Sequence, residues 1–276
     1  MALQQVIGWL LPLREEGSPL AGRWVSGKAK SLFIKVLGCN VLRRELYLAA
    51  ACSRNKVDLE FLVKGLHDMG APLMQARMQE AIDAIGDDYD AIALGYGLCN
   101  NGLMNVEARR RPLVIPRAHD CITMFLGSRH RYRTEFDNEP GTYFKTSGWI
   151  ERTESPDDVN QLSIQRQTGM DKTYEELVEK YGEENAAFLY ETLIDNTHNY
   201  KRYAYIAMGI GPDDRWEEET RVEAGRRGWQ FEKLTGDMRL IQKLVDGDWD
   251  DDFLYVPVGH KIVPSNDANI LKTETI

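Results

Sequence analysis

The sequence predicts an α/β protein on a doubly wound parallel sheet, with a helical insertion. Three observations carry this. Short apolar runs recur along the chain. Most are continuous rather than alternating, as strands covered on both faces are. Helical stretches of about 10–15 residues separate them, the pattern of βαβ units and parallel pairing.

Taken in order, Met1–Leu13 (MALQQVIGWLLPL) is apolar. It lacks a basic leading region, and it is shorter than the ~20 apolar residues that span a bilayer. Residues 1–30 are therefore read as an N-terminal extension, a short helix packed on the body or on a second copy in a homodimer. Residues 31–150 form a first α/β lobe. Its first strand is Leu32–Leu37, ending in Gly38-Cys39-Asn40. Val41–Ser53 is a helix with Leu42, Leu46, Ala49 and Ala50 on one face. Val57–Val63 alternates as a second strand. Leu73–Ile85 is helical, with Met74, Met78, Ala81, Ile82 and Ile85 spaced for one buried face. Asp90–Leu94 is a third strand running into GYGLCNNG, and Pro112–Pro116 a fourth running into RAHDC. Ile122–Leu126 opens the next helix.

Pro140–Trp149 (PGTYFKTSGW) reads as a turn-rich aromatic segment. Ser155–Asn196 is charged and helical, so residues 151–200 are expected to form an insertion or lid. Residues 201–276 return to α/β as a second lobe. Its strands are Tyr203–Met208, Trp229–Leu234 and Asp252–Val258, its helices Trp216–Arg227 and Met238–Val245, and its tail Asn266–Ile276 is extended. The two halves are either Rossmann-like lobes facing across a cleft or parts of one sheet.

The composition is that of a globular chain: 276 residues, 43% hydrophobic and 28% charged. It excludes a disordered or disulfide-dense chain. The net charge of −9 gives no general attraction to nucleic acid or to an anionic membrane. With no secretion signal, the cysteines are expected as free or metal-bound thiols in the cytoplasm.

Cysteine placement is the most informative feature. Cys39 falls just past the first strand, Cys99 past the third and Cys121 past the fourth. In a parallel sheet all these strand ends lie on one edge, where ligands bind. The three thiols are thus predicted to meet at one rim. Cys52, in AAACS, reads as a small buried hydrophobe. His119 sits two residues before Cys121, and thiolate with imidazole is the donor set of zinc. Three protein ligands with one open position describe a catalytic zinc. Three thiolates without the imidazole describe a 4Fe–4S cluster with one open iron. Two other readings stand beside these: small residues needed at tight strand–helix turns, or one reactive thiol, Cys99 or Cys121, with His119 as base.

Further candidates follow from position. Gly95, Tyr96, Gly97 and Asn100 lie on the glycine-rich loop, where bare backbone can approach a substrate or a helix N-terminus can take a phosphate. Asn100 or Asn101 is placed to cap the following helix. Arg117, Arg129 and Arg131 are basic in an acidic chain and suit an anionic substrate, or else a solvated face. Tyr143 and Trp149 are candidates for an aromatic pocket wall or for core. His260 follows a strand end and is a candidate acid–base or metal ligand. Asp120 can orient His119 or an arginine.

LGYGLCNNG (Leu94–Gly102), PRAHDC (Pro116–Cys121) and PGTYFKTSGW (Pro140–Trp149) resemble the bacterial and archaeal domain-of-unknown-function family 1638, from about Leu32 to His260. The resemblance implies a neighbourhood of corrinoid proteins and methyltransferases of anaerobic one-carbon metabolism. His119-x-Cys121 with a distant cysteine is also similar in ligand type to the zinc motif of thiol-alkylating corrinoid methyltransferases, where the distant cysteine follows the pair rather than precedes it. The expected function is a zinc-dependent, methyltransferase-like enzyme acting on a small-molecule thiol or an anionic substrate. The alternatives are an iron–sulfur enzyme, or a non-enzymatic accessory protein that binds a corrinoid or metallocofactor and docks a corrinoid protein or methyltransferase.

Overall fold

In a computed structural model, residues 31–62, 64–99, 101–152, 174–189, 199–265 and 267–276 are described. The expected N-terminal helix, most of the expected insertion and Asn100 lie outside these residues.

The first sheet is assembled from β1 (Phe33–Cys39), β2 (Lys56–Leu62), β3 (Ala91–Gly95), β5 (Leu113–Pro116) and β9 (Phe253–Val256). Their order is β2-β1-β3-β5-β9. The first four are parallel, and β9 closes the edge antiparallel to β5. This is a doubly wound order: the chain steps from β1 to one side for β2 and to the other for β3. The place where such an order reverses leaves a crevice beyond the strand ends, here between β1 and β3. Burial follows position. β3 and β5 are buried at every residue, whereas β2, at the edge, alternates between exposed and half-buried. The parallel strands are joined through α1 (Arg43–Cys52), between β1 and β2, and α2 (Ala71–Asp83), between β2 and β3.

A second, wholly parallel sheet has the order β6-β7-β8, from β6 (Thr142–Lys145), β7 (Arg202–Ala207) and β8 (Gln230–Thr235). Helix α8 (Asp213–Arg227) joins β7 to β8 and packs on both. The chain then returns to the first sheet. Helix α9 (Arg239–Asp246) packs on α1, β3 and β5 and buries Leu240, Ile241, Leu244 and Val245 before β9 joins the edge. A third, antiparallel sheet has the order β11-β10-β4, from β4 (Glu107–Ala108), β10 (His260–Pro264) and β11 (Leu271–Thr275). Between β5 and β6 lie the short helices α3 (Cys121–Leu126) and α4 (Arg129–Asn138), and α5 (Ser147–Glu151) follows β6. Two helices, α6 (Tyr174–Tyr181) and α7 (Glu183–Leu189), are described within the expected insertion. The expected lobe boundaries are crossed twice: β6 comes from within residues 31–150, and β9 returns from the C-terminal part.

Two expectations need correction. Pro140–Trp149 is not only a turn: it contributes β6 and opens α5. Cys52 is not a core residue: it is the last residue of α1 and is exposed.

Candidate functional site

The site begins at the reversal between β1 and β3. Gly38 and Gly95 are register partners there. Leu46 of α1 lies directly on them: a Cβ on Gly38 would stand 2.5 Å from Leu46 Cδ1, and one on Gly95 3.2 Å from it. The glycine pair therefore lets α1 sit down on the strand ends. Gly95 has this packing role and does not line the cavity described below. Cys39, one residue beyond, ends β1 and is buried.

Two loops bring the other thiols to the same place. After β3 the chain runs alongside the segment after β5. Leu98 N–H donates to Ala118 O at 2.8 Å, and Cys99 N–H to His119 O at 2.9 Å. Gly97 makes this approach feasible, because a Cβ there would lie 2.6 Å from the Asp120 Cα. Cys99 itself adopts a left-handed backbone with φ 43°. A non-glycine residue held this way costs on the order of 1–3 kcal/mol, and such strain concentrates at functional sites. Asp120 caps α3, with Oδ1 accepting from Ile122 N–H at 3.0 Å and from Thr123 N–H at 3.4 Å. That cap fixes Cys121 as the first residue of the helix.

Cys39, Cys99 and Cys121 thereby line one cavity of about 400 Å³, with Tyr96 and Asp120 beside them. Aromatic side chains complete its walls. Tyr132 and Phe136 stand one turn apart on α4, stacked with centroids 6.2 Å apart. Tyr132 O–H donates to Asp120 Oδ2 at 2.9 Å. Tyr143 and Phe144 come from β6, Trp149 from α5 and Tyr200 from the residue leading into β7. Tyr143 and Tyr200 meet edge to face at 5.3 Å. Helix α5 is held at the thiol end by a backbone approach: a Cβ on Gly148 would fall 1.9 Å from Val41 O.

The electrostatics have one sign. Among the described residues no basic side chain lines the cavity. Burial pushes the Cys99 thiol far up, and the charges of Cys39 and Asp120 push it further; the Gly97 and Cys121 N–H groups only partly oppose this. Cys121 is raised likewise, first by burial and then by Cys99, Asp120 and Cys39. Tyr96 is raised by burial and by all three cysteines. Burial also raises the Asp120 carboxyl, against the hydrogen bond from Tyr132. Cys99 and Cys121 therefore feel the neighbouring negative charge, and in the absence of a cation their protonated forms are favoured.

The remaining expected residues lie elsewhere. The His119 side chain is exposed and outside the cavity lining. His260 opens β10, with Nδ1 3.4 Å from Val258 O and Nε2 3.4 Å from Thr275 Oγ1. Arg117 donates to Asn269 O at 2.8 Å and to Leu271 O. Arg129 donates to Ala268 O at 3.0 Å and lies 3.6 Å from Asp252. Both arginines thus tie the β10–β11 loop to the first sheet. Arg131, whose backbone N–H caps onto Ser128, does not line the cavity. Tyr96, Cys39, Cys99, Cys121 and Tyr143 are the expected residues brought together, with Trp149 as the expected wall. Sequence reasoning missed Tyr132, Phe136 and Tyr200. The first two sit at i and i+4 in RHRYRTEF, a signal hidden by the charged residues around them. Asp120 was seen, but as a partner for His119 or an arginine rather than as cap and cavity wall.

Fold and site together define an α/β protein with a thiol-bearing aromatic cavity at the switch point of a doubly wound sheet. The chain belongs to the family described as "Protein of unknown function (DUF1638)", whose model matches residues 61–245. No curated protein and no solved structure matches the chain. No helix among the described residues is long and apolar enough to cross a membrane.

Proposed function

We propose that the cavity is the site of a metal-dependent enzyme in which Cys39, Cys99 and Cys121 take up a soft cation of the zinc type. The open position on the metal would receive a substrate thiol. The reaction class is methyl transfer, in keeping with the metabolic neighbourhood that the family resemblance implies. What carries the reading is the convergence of thiols from three separate strand ends on one cavity whose described lining holds no basic side chain. An anionic substrate finds no counter-charge among those lining residues, and a free-thiolate nucleophile needs a lowered thiol pKa, whereas burial and neighbouring negative charge raise it here. A cation reverses both effects: it offsets the mutual repulsion and lets the thiols bind as thiolates.

The donor type fits a soft metal, but no group of three or more His, Cys, Asp or Glu among the described residues is assembled around one point. Uptake must therefore draw the thiols together from their places around the cavity. The second reading, a 4Fe–4S cluster on the same cysteines, is favoured by one observation: it needs no imidazole, and His119 lies outside the cavity lining. Elemental analysis and a visible spectrum of protein purified under anaerobic conditions test both. About one zinc per colourless chain supports the first, and iron with sulfide and brown absorbance the second. Protein that holds neither, and takes up neither on reconstitution, overturns the proposal.

A further inference from the structure

The aromatic end of the same cavity carries a ligand assignment of its own. We infer that it binds a small quaternary ammonium ion, walled by Tyr132, Phe136, Tyr143, Trp149 and Tyr200, with Asp120 as counter-charge. The inference rests on the same cavity as the proposal above, but not on its metal.

Four observations lead there. Aromatic rings approach from α4, β6, α5 and the segment before β7, so the walls present ring surface from more than one side. Such surface attracts a cation through the ring quadrupole, most strongly where water is excluded. Among the described residues Asp120 is the one carboxylate lining the cavity, and no described Lys, Arg or His accompanies it there. An anion would meet that carboxylate unopposed; a neutral ligand would remove water from it and return nothing.

The fourth observation separates quaternary from primary ammonium. Asp120 has little acceptor capacity left: Oδ1 accepts from the Ile122 and Thr123 N–H groups and Oδ2 from the Tyr132 hydroxyl, which leaves about one lone pair for a ligand. A primary ammonium carries three N–H donors that must find acceptors once water is lost. A quaternary ammonium has no donor to satisfy and needs only charge and ring surface. The rings are also held in place: Tyr132 is tied to Asp120, and the Tyr143 hydroxyl is hydrogen-bonded with Trp149.

Calorimetric titration of the reduced, metal-free full chain tests this with three probes: choline, its neutral carbon isostere 3,3-dimethylbutan-1-ol, and ethanolamine. Choline is expected to bind saturably and about tenfold or more tighter than either of the others. Asp120→Asn keeps an oxygen for the α3 cap and is expected to reduce choline affinity about tenfold, leaving the alcohol unchanged. Phe136 is 48% exposed, so Phe136→Leu leaves the fold intact. It should weaken choline alone, about threefold. Equal binding of choline and the alcohol, no binding of choline, or indifference of choline to both variants overturns the inference. Replacing the three cavity cysteines by serine separates the two proposals: choline binding survives this change if the inference is right, whatever happens to metal uptake.

Discussion

Glu45 offers a test of the electrostatics that surround the site. It lies in the first turn of α1, wholly buried, and neither carboxylate oxygen has a hydrogen-bond partner on another described residue. Burial pushes its carboxyl from 4.5 up to about 7. Asp213 and Glu151 push the same way; its own backbone N–H and the Arg44 guanidinium oppose them and lose. Arg44 is itself engaged, donating to Glu151 at 2.9 and 2.7 Å. The unfolded chain ionises this group at lower pH than the folded one. Its contribution to stability is thus fully present below pH 4.5, falls as pH rises, and is lost once pH passes about 7. That interval corresponds to about 3 kcal/mol at most. Glu45→Gln removes the titration while nearly conserving shape. Urea denaturation of both proteins at pH 5 and pH 8 is the assay. The unsatisfied amide costs about 1–3 kcal/mol at both pH values and cancels from the comparison. Wild type is expected to lose up to about 3 kcal/mol more than the variant between the two conditions. Parallel losses would refute the reasoning and imply that Glu45 is solvated or paired.

Two further predictions concern the thiol loops. Gly97→Ala places a Cβ against the Asp120 backbone, which cannot swing aside; the cost is expected at about 1–3 kcal/mol. Gly102→Ala meets only the flexible Met74 side chain and should cost less, so equal melting temperatures for the two variants would contradict the account. In metal-free protein, Cys52 is exposed while Cys99 and Cys121 are half-buried thiols whose pKa values are raised. A disulfide reagent at pH 7 should therefore label Cys52 first; labelling of Cys99 at the same rate would count against a cavity that raises thiol pKa values.

Much of the first sheet was legible because its strands are buried on both faces. Runs such as Asp90–Leu94 and Pro112–Pro116 have no competing helical period, and their ends locate the cysteines. The antiparallel parts were harder to read. Strand β4 is two residues long, and β10 begins immediately after the Gly259 turn, so His260 reads as a strand-end residue when it opens a strand. Strand β6 is hidden between Pro140-Gly141 and the Thr146-Ser147-Gly148 turn that caps α5. The meeting of thiols could be anticipated from strand polarity alone. The aromatic wall could not: Tyr132, Phe136 and Tyr200 reach the cavity only because α4 and the second sheet fold over the thiol rim. Of the arginines read as anion ligands from charge contrast, Arg117 and Arg129 donate to backbone carbonyls around the β10–β11 turn, a use that local sequence does not distinguish.

The central claim is that three distant thiols act as one cation-binding group. Cobalt(II) titration of the reduced, metal-free chain addresses it directly, because thiolate ligation to cobalt produces an intense near-ultraviolet charge-transfer absorption. The account predicts saturation at about one cobalt per chain, with the absorption weakened by each of Cys39→Ser, Cys99→Ser and Cys121→Ser and unaffected by Cys52→Ser. An absorption that never appears, or one that survives replacement of all three, would contradict it.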